Sequence, residues 1–175
     1  MPRRPRRTHD GPLFHVMNRS VRHARLFFTV GDYYAFEEVL REAVGGRFPV
    51  RLIAYCATPN QWHLVVRAEK PRDLSRFMHW VTMTHAQRWH AFHRSVGTGP
   101  VYQGRFKSVP IRDERQLLCV CRYVERNALG ANLVERAEEW RWSSLWHRCR
   151  SCTLLALEPW NFVPLGAWLH LVNQR

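Results

Sequence analysis

One short segment of the sequence carries polar side chains of the kind that bind metal ions. Residues 61–66 read Gln-Trp-His-Leu-Val-Val, a run typical of a β-strand, and they follow a turn-forming Thr-Pro-Asn. Because side chains alternate across a strand, Gln61 and His63 are predicted to share one face, while Trp62 and Leu64 point to the other. The sequence therefore predicts one apolar face and one face that offers an amide oxygen and an imidazole nitrogen.

A second pair of candidate residues lies on a later predicted helix. Tyr123 and Asn127 are four residues apart, so a helix would place both on one face. If this helix packs over the strand, an imidazole, two amides and a phenol converge, and they could hold a divalent cation against a phosphate that the phenol oxygen attacks. Each residue also has a structural interpretation: His63 as a hydrogen-bonded strand residue, Tyr123 as a packing residue and Asn127 as a helix cap.

The charge of the chain indicates a polyanionic partner. Its 175 residues include 27 basic and 14 acidic side chains, which give a formal charge of +13 at pH 7. Only Lys70 and Lys107 are lysines, and the arginine guanidinium suits bidentate phosphate contact and base stacking. A GC-rich genome would also enrich arginine. Residues 1–12 are predicted to form a flexible basic arm that tracks phosphates through Arg3, Arg4, Arg6 and Arg7.

Composition argues against membrane and secreted classes. The apolar runs are far shorter than the roughly 18 residues needed to cross a bilayer, and no hydrophobic signal segment follows the basic leader. Five scattered cysteines are typical of reduced thiols, so we expect a soluble cytoplasmic protein. Cys149 and Cys152 lack a second pair at zinc-finger spacing, so a structural zinc site is not expected.

Hydrophobic patterns predict elements in the order βαββαβα. The predicted strands cover 13–17, 50–57, 62–67 and 106–111, with short extended pieces at 26–29 and 101–102; the predicted helices cover 32–44, 73–93 and 114–128. This order, with a hairpin around residues 58–60, favours an α+β fold of the ferredoxin-like kind, an antiparallel sheet with helices on one face. Residues 13–147 are the predicted domain. Residues 148–175 form an apolar tail that packs on the domain or on a partner subunit.

Five segments in order resemble the single-tyrosine HUH transposases, and more closely the REP-associated tyrosine transposases. The resemblance covers about residues 13–147. The matching segments are 14–19 with 25–27, 54–64, 102–108, 122–127 and 140–144. Five segments in the right order are more specific than any one of them, and together they imply the HUH nuclease fold.

The resemblance implies a chemistry for the candidate residues. Tyr123 would attack a phosphate of single-stranded DNA, leaving a 5′-phosphotyrosine link and a free 3′-hydroxyl. His63 and Asn127 would be ligands of Mg²⁺ or Mn²⁺. Gln61 stands where the family has its first histidine, and its neutral amide oxygen is a weaker ligand that hard cations still accept. Ala128 stands where the family usually has a proline after Asn127. This difference concerns the end of the helix and not the chemistry.

In this family the partner is a single strand that folds as a hairpin. A phenol with an ordinary pKa near 10 needs positive surroundings to act as a phenolate. Several phosphate contacts would also make binding steeply salt-dependent. The sequence is also compatible with a homodimer. The residues assigned to DNA contact are Arg3, Arg4, Arg6, Arg7, Arg19, Arg105, Lys107, Arg122 and Arg126.

Two alternatives remain at this point. Because Gln61 replaces a histidine, the chain could be a catalytically degenerate relative that binds DNA without cleaving it. It could also be a ferredoxin-like RNA-binding domain unrelated to transposases, for which Tyr123 would have no catalytic role.

Overall fold

The structure is a computed structural model that describes residues 12–174. The arginines predicted for the basic arm, at positions 3, 4, 6 and 7, lie outside the described residues. Among the helices of residues 12–174, none has the length and apolar character required to span a bilayer.

A four-stranded antiparallel sheet forms the centre of the fold. Its strands are β1 (Leu13–Arg19), β2 (Val50–Thr58), β3 (Gln61–Ala68) and β4 (Lys107–Ile111), in the spatial order β2-β3-β1-β4. Strands β2 and β3 form the predicted tight hairpin, which is confirmed. The element order and the central position of β1 and β3 agree with the ferredoxin-like arrangement, so the α+β class is confirmed.

Two helices cover the apolar face of the sheet. These are α1 (Val30–Glu42) and α2 (Pro71–Phe92), and they pack against each other as well as against the strands. Trp62 and Leu64 of β3 are fully buried in this layer together with Phe36 of α1. This layer also holds β3 in place, because the indole N–H of Trp62 donates to the Tyr102 hydroxyl at 3.0 Å.

Helices also cover part of the opposite face, which corrects the expectation that all helices lie on one face. Helix α3 (Glu114–Glu125) packs with the C-terminal helix α6 (Leu165–Asn173) over Val65 and Ile111 of the sheet. The strands are apolar on both faces at this end of the sheet, so both faces need a helical cover. The described part of the C-terminal tail therefore packs on the same chain.

The start of α1 differs from the sequence prediction. The helix begins at Val30, before the predicted start at residue 32, and Thr29 is its N-cap. The Thr29 hydroxyl accepts the Asp32 N–H, while the Asp32 carboxylate accepts the N–H groups of Phe28 and Thr29 at 2.8 Å each. This reciprocal arrangement is a capping box. Residues 26–29 are not a strand either. The N–H groups of Leu26 and Phe27 both donate to the same carbonyl, that of Pro59, which is not the hydrogen-bond pattern of a β-ladder.

The remaining extended piece and the middle helix differ less from the sequence prediction. Residues 101–102 are not a strand, and Tyr102 makes only a single bridge, to Ser20. The middle helix spans Pro71–Phe92, close to the predicted 73–93.

We expect Asp32→Asn to weaken the link between α1 and α2 in a pH-dependent way. Burial raises the pKa of Asp32, but its hydrogen bonds from Thr29, Phe28 and His93 outweigh burial, and the pKa is lowered overall. A lowered carboxyl pKa stabilises the fold above its unfolded value near 4, and this stabilisation is lost as the pH falls through the folded value. Urea unfolding at pH 6 should show a loss of about 1 kcal/mol in the variant.

That difference should shrink between pH 4 and pH 3. Glu135→Gln, at an exposed position, serves as the control and should leave the free energy of unfolding within about 0.5 kcal/mol of wild type. A difference between Asp32→Asn and wild type that stays constant from pH 6 to pH 3 would contradict the role assigned to the ionised carboxylate.

Candidate active site

Strand β3 presents the predicted ligand residues as side-chain alternation requires. Trp62 is buried among α1 and α2, while His63 and Gln61 point to the face that carries α3. In the register of the sheet, His63 lies between Met17 of β1 and Cys56 of β2. His63 is therefore in the middle of the sheet, and Gln61 is at the end of β3 beside an open cleft.

A second histidine lies directly beside His63. His15 of β1 is 92% buried, and its Nε2 lies 3.0 Å from Nδ1 of His63, with ring centroids 5.3 Å apart. Burial, and secondarily the neighbouring His15, lower the pKa of His63 to about 4; burial also lowers the pKa of His15. Both imidazoles are therefore neutral at pH 7. The other nitrogen of His63, Nε2, is buried and has no hydrogen-bond partner.

Helix α3 brings Tyr123 over this histidine pair. The Tyr123 ring meets His63 and His15 edge-on, with centroid distances of 5.5 and 5.9 Å, and the residue is 53% exposed. The side chain is thus about half open to solvent, while its ring rests on the imidazoles. A tyrosine placed in this way can be reached by a large molecule and lies beside the imidazole of His63.

Asn127 approaches the same site from a separate helical turn. Helix α3 ends at Glu125, and α4 (Asn127–Gly130) follows as a single turn, so the predicted continuous helix over 114–128 is corrected. Helix α4 packs against β2, and Ala128 shares a buried cluster with Cys56, the β2 residue paired with His63. The Asn127 side-chain oxygen, Oδ1, is buried and has no partner.

A buried carboxylate holds α3 in this position. Glu125 is fully buried and accepts the Ser144 hydroxyl at 2.5 Å and the Trp168 indole N–H at 2.7 Å, and it forms an ion pair with Arg148. Ser144 in turn accepts the backbone N–H of Tyr55 in β2 at 3.0 Å. Ser144 and Arg148 belong to α5 (Ser144–Cys149), so Glu125 connects α3 to α5, α6 and the sheet.

A basic cleft of about 330 Å³ adjoins the histidine pair. The loop after Tyr102 closes one side of it: the Gln103 N–H donates to the Arg19 carbonyl at 3.0 Å, and the Asn18 amide donates to the Gly104 carbonyl at 3.2 Å. The cleft is lined by Met17, Asn18, Arg19, Gln61, Gln103, Gly104, Arg105 and Lys107. Three of the basic residues predicted to contact DNA thus lie together beside Gln61.

Arg122 and Arg126, which were predicted to contact DNA, make hydrogen bonds to the C-terminal part of the same chain. The Arg122 guanidinium donates to the carbonyls of Leu171 and Gln174, and that of Arg126 donates to the carbonyls of Val172 and Gln174. These carbonyls are at the C-terminal end of α6, where a helix leaves acceptors without partners and favours positive charge. The two arginines therefore fasten α6 to α3 next to Tyr123.

The donor atoms of the site fit a small divalent cation in part. Within residues 12–174 no three side chains of the His, Cys, Asp and Glu types form a metal-binding cluster. The predicted ligand set contains one imidazole and two amides, and two of its donor atoms, Nε2 of His63 and Oδ1 of Asn127, are buried without partners. They are two of five buried side-chain polar atoms without a partner among residues 12–174, and they are the two that belong to the predicted ligand set.

Sequence reasoning overlooked His15 as a member of the site. The alternation of His15, Met17 and Arg19 on one face of β1 was visible in the sequence, but no local signal showed that β1 is the neighbour of β3. Gln103 was also overlooked, since its place in the cleft depends on the loop that closes it.

The fold and the site together define an α+β protein with a tyrosine and two histidines on one face of a central antiparallel sheet. The model of the family described as "Transposase IS200 like" matches residues 13–127. The chain belongs to this family. The interpretation as an RNA-binding domain unrelated to transposases is therefore wrong.

One solved structure agrees with this assignment at the level of the fold, and a second similar structure is also found. The structure of a REP-associated tyrosine transposase bound to a REP hairpin is 18% identical and superposes with a TM-score of 0.65, over 95% of this chain and 96% of the other. A crystal structure from Deinococcus radiodurans R1, of a candidate transposase, is 16% identical with a TM-score of 0.49, over 71% and 96% of the two chains. No curated protein sequence is significantly similar.

We expect Glu125→Ala to destabilise the protein strongly. The substitution leaves the nearly buried Arg148 without its counter-charge, and removing one partner of a buried ion pair costs about 3–5 kcal/mol. Chemical denaturation followed by tryptophan fluorescence measures the loss. The control is Glu135→Ala at an exposed position, which should change the free energy of unfolding by no more than about 0.5 kcal/mol. Equal effects of the two substitutions would contradict the anchoring role.

Proposed function

We propose that this protein is a transposase that binds single-stranded DNA hairpins and cleaves and rejoins them through Tyr123. One observation carries the proposal: an exposed tyrosine rests on a buried histidine whose Nε2 has no partner, in a chain of the Transposase IS200 like family. The hairpin as substrate is supported by the similar structure, which holds a REP hairpin.

The proposed reaction exchanges one phosphate ester for another. The Tyr123 hydroxyl loses its proton to solvent, and its oxygen attacks the scissile phosphorus. The bond between the tyrosine oxygen and phosphorus forms as the bond from phosphorus to the 3′-oxygen breaks. The released 3′-oxygen takes up a proton, and the 5′ end stays linked to Tyr123. Attack of a 3′-hydroxyl on this link reverses the step and rejoins the strand.

His63 and Asn127 would hold Mg²⁺ or Mn²⁺ through the two atoms that have no protein partner, with Gln61 as the third, weaker ligand. When bound, such a cation neutralises and orients the scissile phosphate. The protein residues contribute the rest. The stack of His15 and His63 supports the Tyr123 ring, and Glu125 fixes the helix that carries it. Both effects keep the nucleophile oriented before DNA arrives.

The cleft and an adjoining loop form the proposed DNA-binding surface. Arg19, Arg105 and Lys107 line the cleft, and the loop 20–25 continues from Arg19 with further exposed cations. This loop is rigidly held, since the Ser20 N–H donates to the Asn60 carbonyl and the Leu26 N–H donates to the Pro59 carbonyl. Arg22 has a left-handed φ of 53°, which is uncommon for a residue with a side chain and frequent at functional sites.

Replacing a cleft cation should weaken DNA binding and reduce its salt dependence. Each phosphate contact contributes about one unit to the slope of log affinity against log salt, so Arg105→Ala should lower the slope by about one. Wild-type affinity should fall on the order of 10³-fold from 50 to 200 mM salt for about six contacts. Fluorescence anisotropy with a labelled hairpin measures both values.

Arg76→Ala provides the matched control for this experiment. Arg76 is an exposed arginine of α2, on the face of the sheet opposite the cleft. Its removal subtracts the same charge and should leave affinity and slope close to wild type. If the two variants lose affinity equally, binding depends on net charge and the cleft has no special role.

Gln61 supports a second candidate function, binding without cleavage. Its amide oxygen is neutral and ligates a cation more weakly than an imidazole. It also lies in the cleft, paired in the sheet register with Arg19, where it could contact DNA directly. In this alternative the chain keeps the basic surface of the family and has lost its activity.

Covalent trapping separates the two functions. The protein is incubated with a panel of single-stranded hairpins and Mg²⁺ or Mn²⁺, and denaturing gels show whether DNA becomes attached to the protein. We expect an adduct that is absent in Tyr123→Phe, because only the phenol oxygen can form the phosphate ester. Gln61→His should increase adduct formation, because an imidazole binds the cation more tightly.

The combination of outcomes decides between the functions. No adduct with wild type, but an adduct with Gln61→His, would support the binding protein with an otherwise intact site. No adduct with either protein across the whole panel would exclude cleavage. An adduct that persists in Tyr123→Phe would assign the nucleophile to another residue.

A further inference from the structure

A feature of the site beyond the predicted ligands is the contact between two histidines from different strands. His15 Nε2 and His63 Nδ1 lie 3.0 Å apart, and their rings are tilted by only 22°. Both side chains are almost completely buried, so no water competes for this contact. Two ring nitrogens at hydrogen-bond distance can have only one proton between them, because two N–H groups facing each other would repel.

The surroundings decide which histidine carries that proton. If His63 accepted from His15, the remaining proton of a neutral His63 would be on Nε2. Nε2 is sealed from solvent and has no acceptor, so this N–H would stay unsatisfied, which is unfavourable. If His63 donates through Nδ1, Nε2 instead presents a lone pair to the site. Nδ1 of His15 is not among the sealed atoms without a partner, so solvent can accept its proton.

We propose that His15 is a positioning residue that accepts the Nδ1–H of His63 and thereby keeps the Nε2 lone pair of His63 directed at the cation site. Histidine ligands are generally oriented and made more basic by such a hydrogen bond on their second nitrogen. The inference deepens the proposed function and rests on it for the nature of the bound ion.

The position of His15 in the sheet holds its imidazole in place beside that of His63. His15 is on β1, which pairs with β3 along its whole length, and the register places His15 opposite Val65 and Met17 opposite His63. Tyr123 covers both rings edge-on. The pair is thus fixed by backbone hydrogen bonds below and by an aromatic ring above. Neither imidazole can turn freely, so the proton position is set by this contact.

Two substitutions separate the hydrogen bond from simple packing. His15→Gln keeps an acceptor oxygen at a similar reach, whereas His15→Phe keeps a flat ring of similar size and removes the acceptor. We expect His15→Phe to shift His63 away from the Nδ1–H tautomer and to weaken Mn²⁺ binding by about 10-fold to 100-fold. His15→Gln should retain the tautomer and most of the affinity.

The measurements are made on the full chain without DNA. Long-range ¹⁵N–¹H NMR of the metal-free protein reports the tautomer of His63, whose signals are assigned by their loss in His63→Gln. Electron paramagnetic resonance of free Mn²⁺ gives the affinity, and circular dichroism verifies the fold of each variant.

The wild-type tautomer by itself can overturn the inference, even if His15→Phe does not fold. An Nε2–H tautomer of His63 in wild type, or equal Mn²⁺ affinity for folded His15→Phe and His15→Gln, would contradict it. A failure of the proposed function can be distinguished from a failure of the positioning role. An Nδ1–H tautomer that depends on His15, in a protein that forms no DNA adduct, would support the positioning role and refute cleavage.

Discussion

The geometry of the site depends on one buried carboxylate. Glu125 is the last residue of α3, two positions after Tyr123 and two before Asn127. Its oxygens are shared by a hydroxyl of α5, an indole of α6 and a guanidinium, and the same hydroxyl contacts the backbone of β2. Because a buried charge without these partners would be costly, the protein must keep all of them in place. Tyr123 and Asn127, the proposed nucleophile and the proposed amide ligand, are therefore positioned by residues outside the site.

The two faces of the sheet have different tasks. The side-chain period of two places Trp62 and Leu64 under α1 and α2, where they form the larger core. On the other face α3 and α6 cover only the end near Leu13 and Ile111, so the opposite end stays open as the basic cleft. His63 lies at the border between the covered and the open half. A ligand can thus be buried and oriented while the substrate still reaches it from solvent.

The replacement of a histidine by Gln61 changes the balance of ligands without changing the scaffold. His63 and Asn127 still present donor atoms that no protein group satisfies, and the pairing of His63 with His15 fixes the imidazole. In the proposed site the cost falls on the affinity for the cation, since an amide oxygen is a weaker ligand than an imidazole. The exposed Tyr123 and the cleft cations do not depend on position 61. The proposed DNA binding and the proposed cleavage therefore rest on different residues.

The sequence by itself determined the antiparallel α+β fold, the hairpin and the face shared by Gln61 and His63, because these depend on the alternation and periodicity of neighbouring residues. It misplaced the start of α1 because Thr29 and Asp32 are both good capping residues, and it missed the break before Asn127 because no strong helix breaker marks it. The contact of His63 with a histidine 48 residues away, and the hydrogen bonds of Arg122 and Arg126 to the C-terminal helix, become visible only in the folded chain. Such contacts join distant parts of the chain, and no local pattern encodes which strand or helix becomes the neighbour.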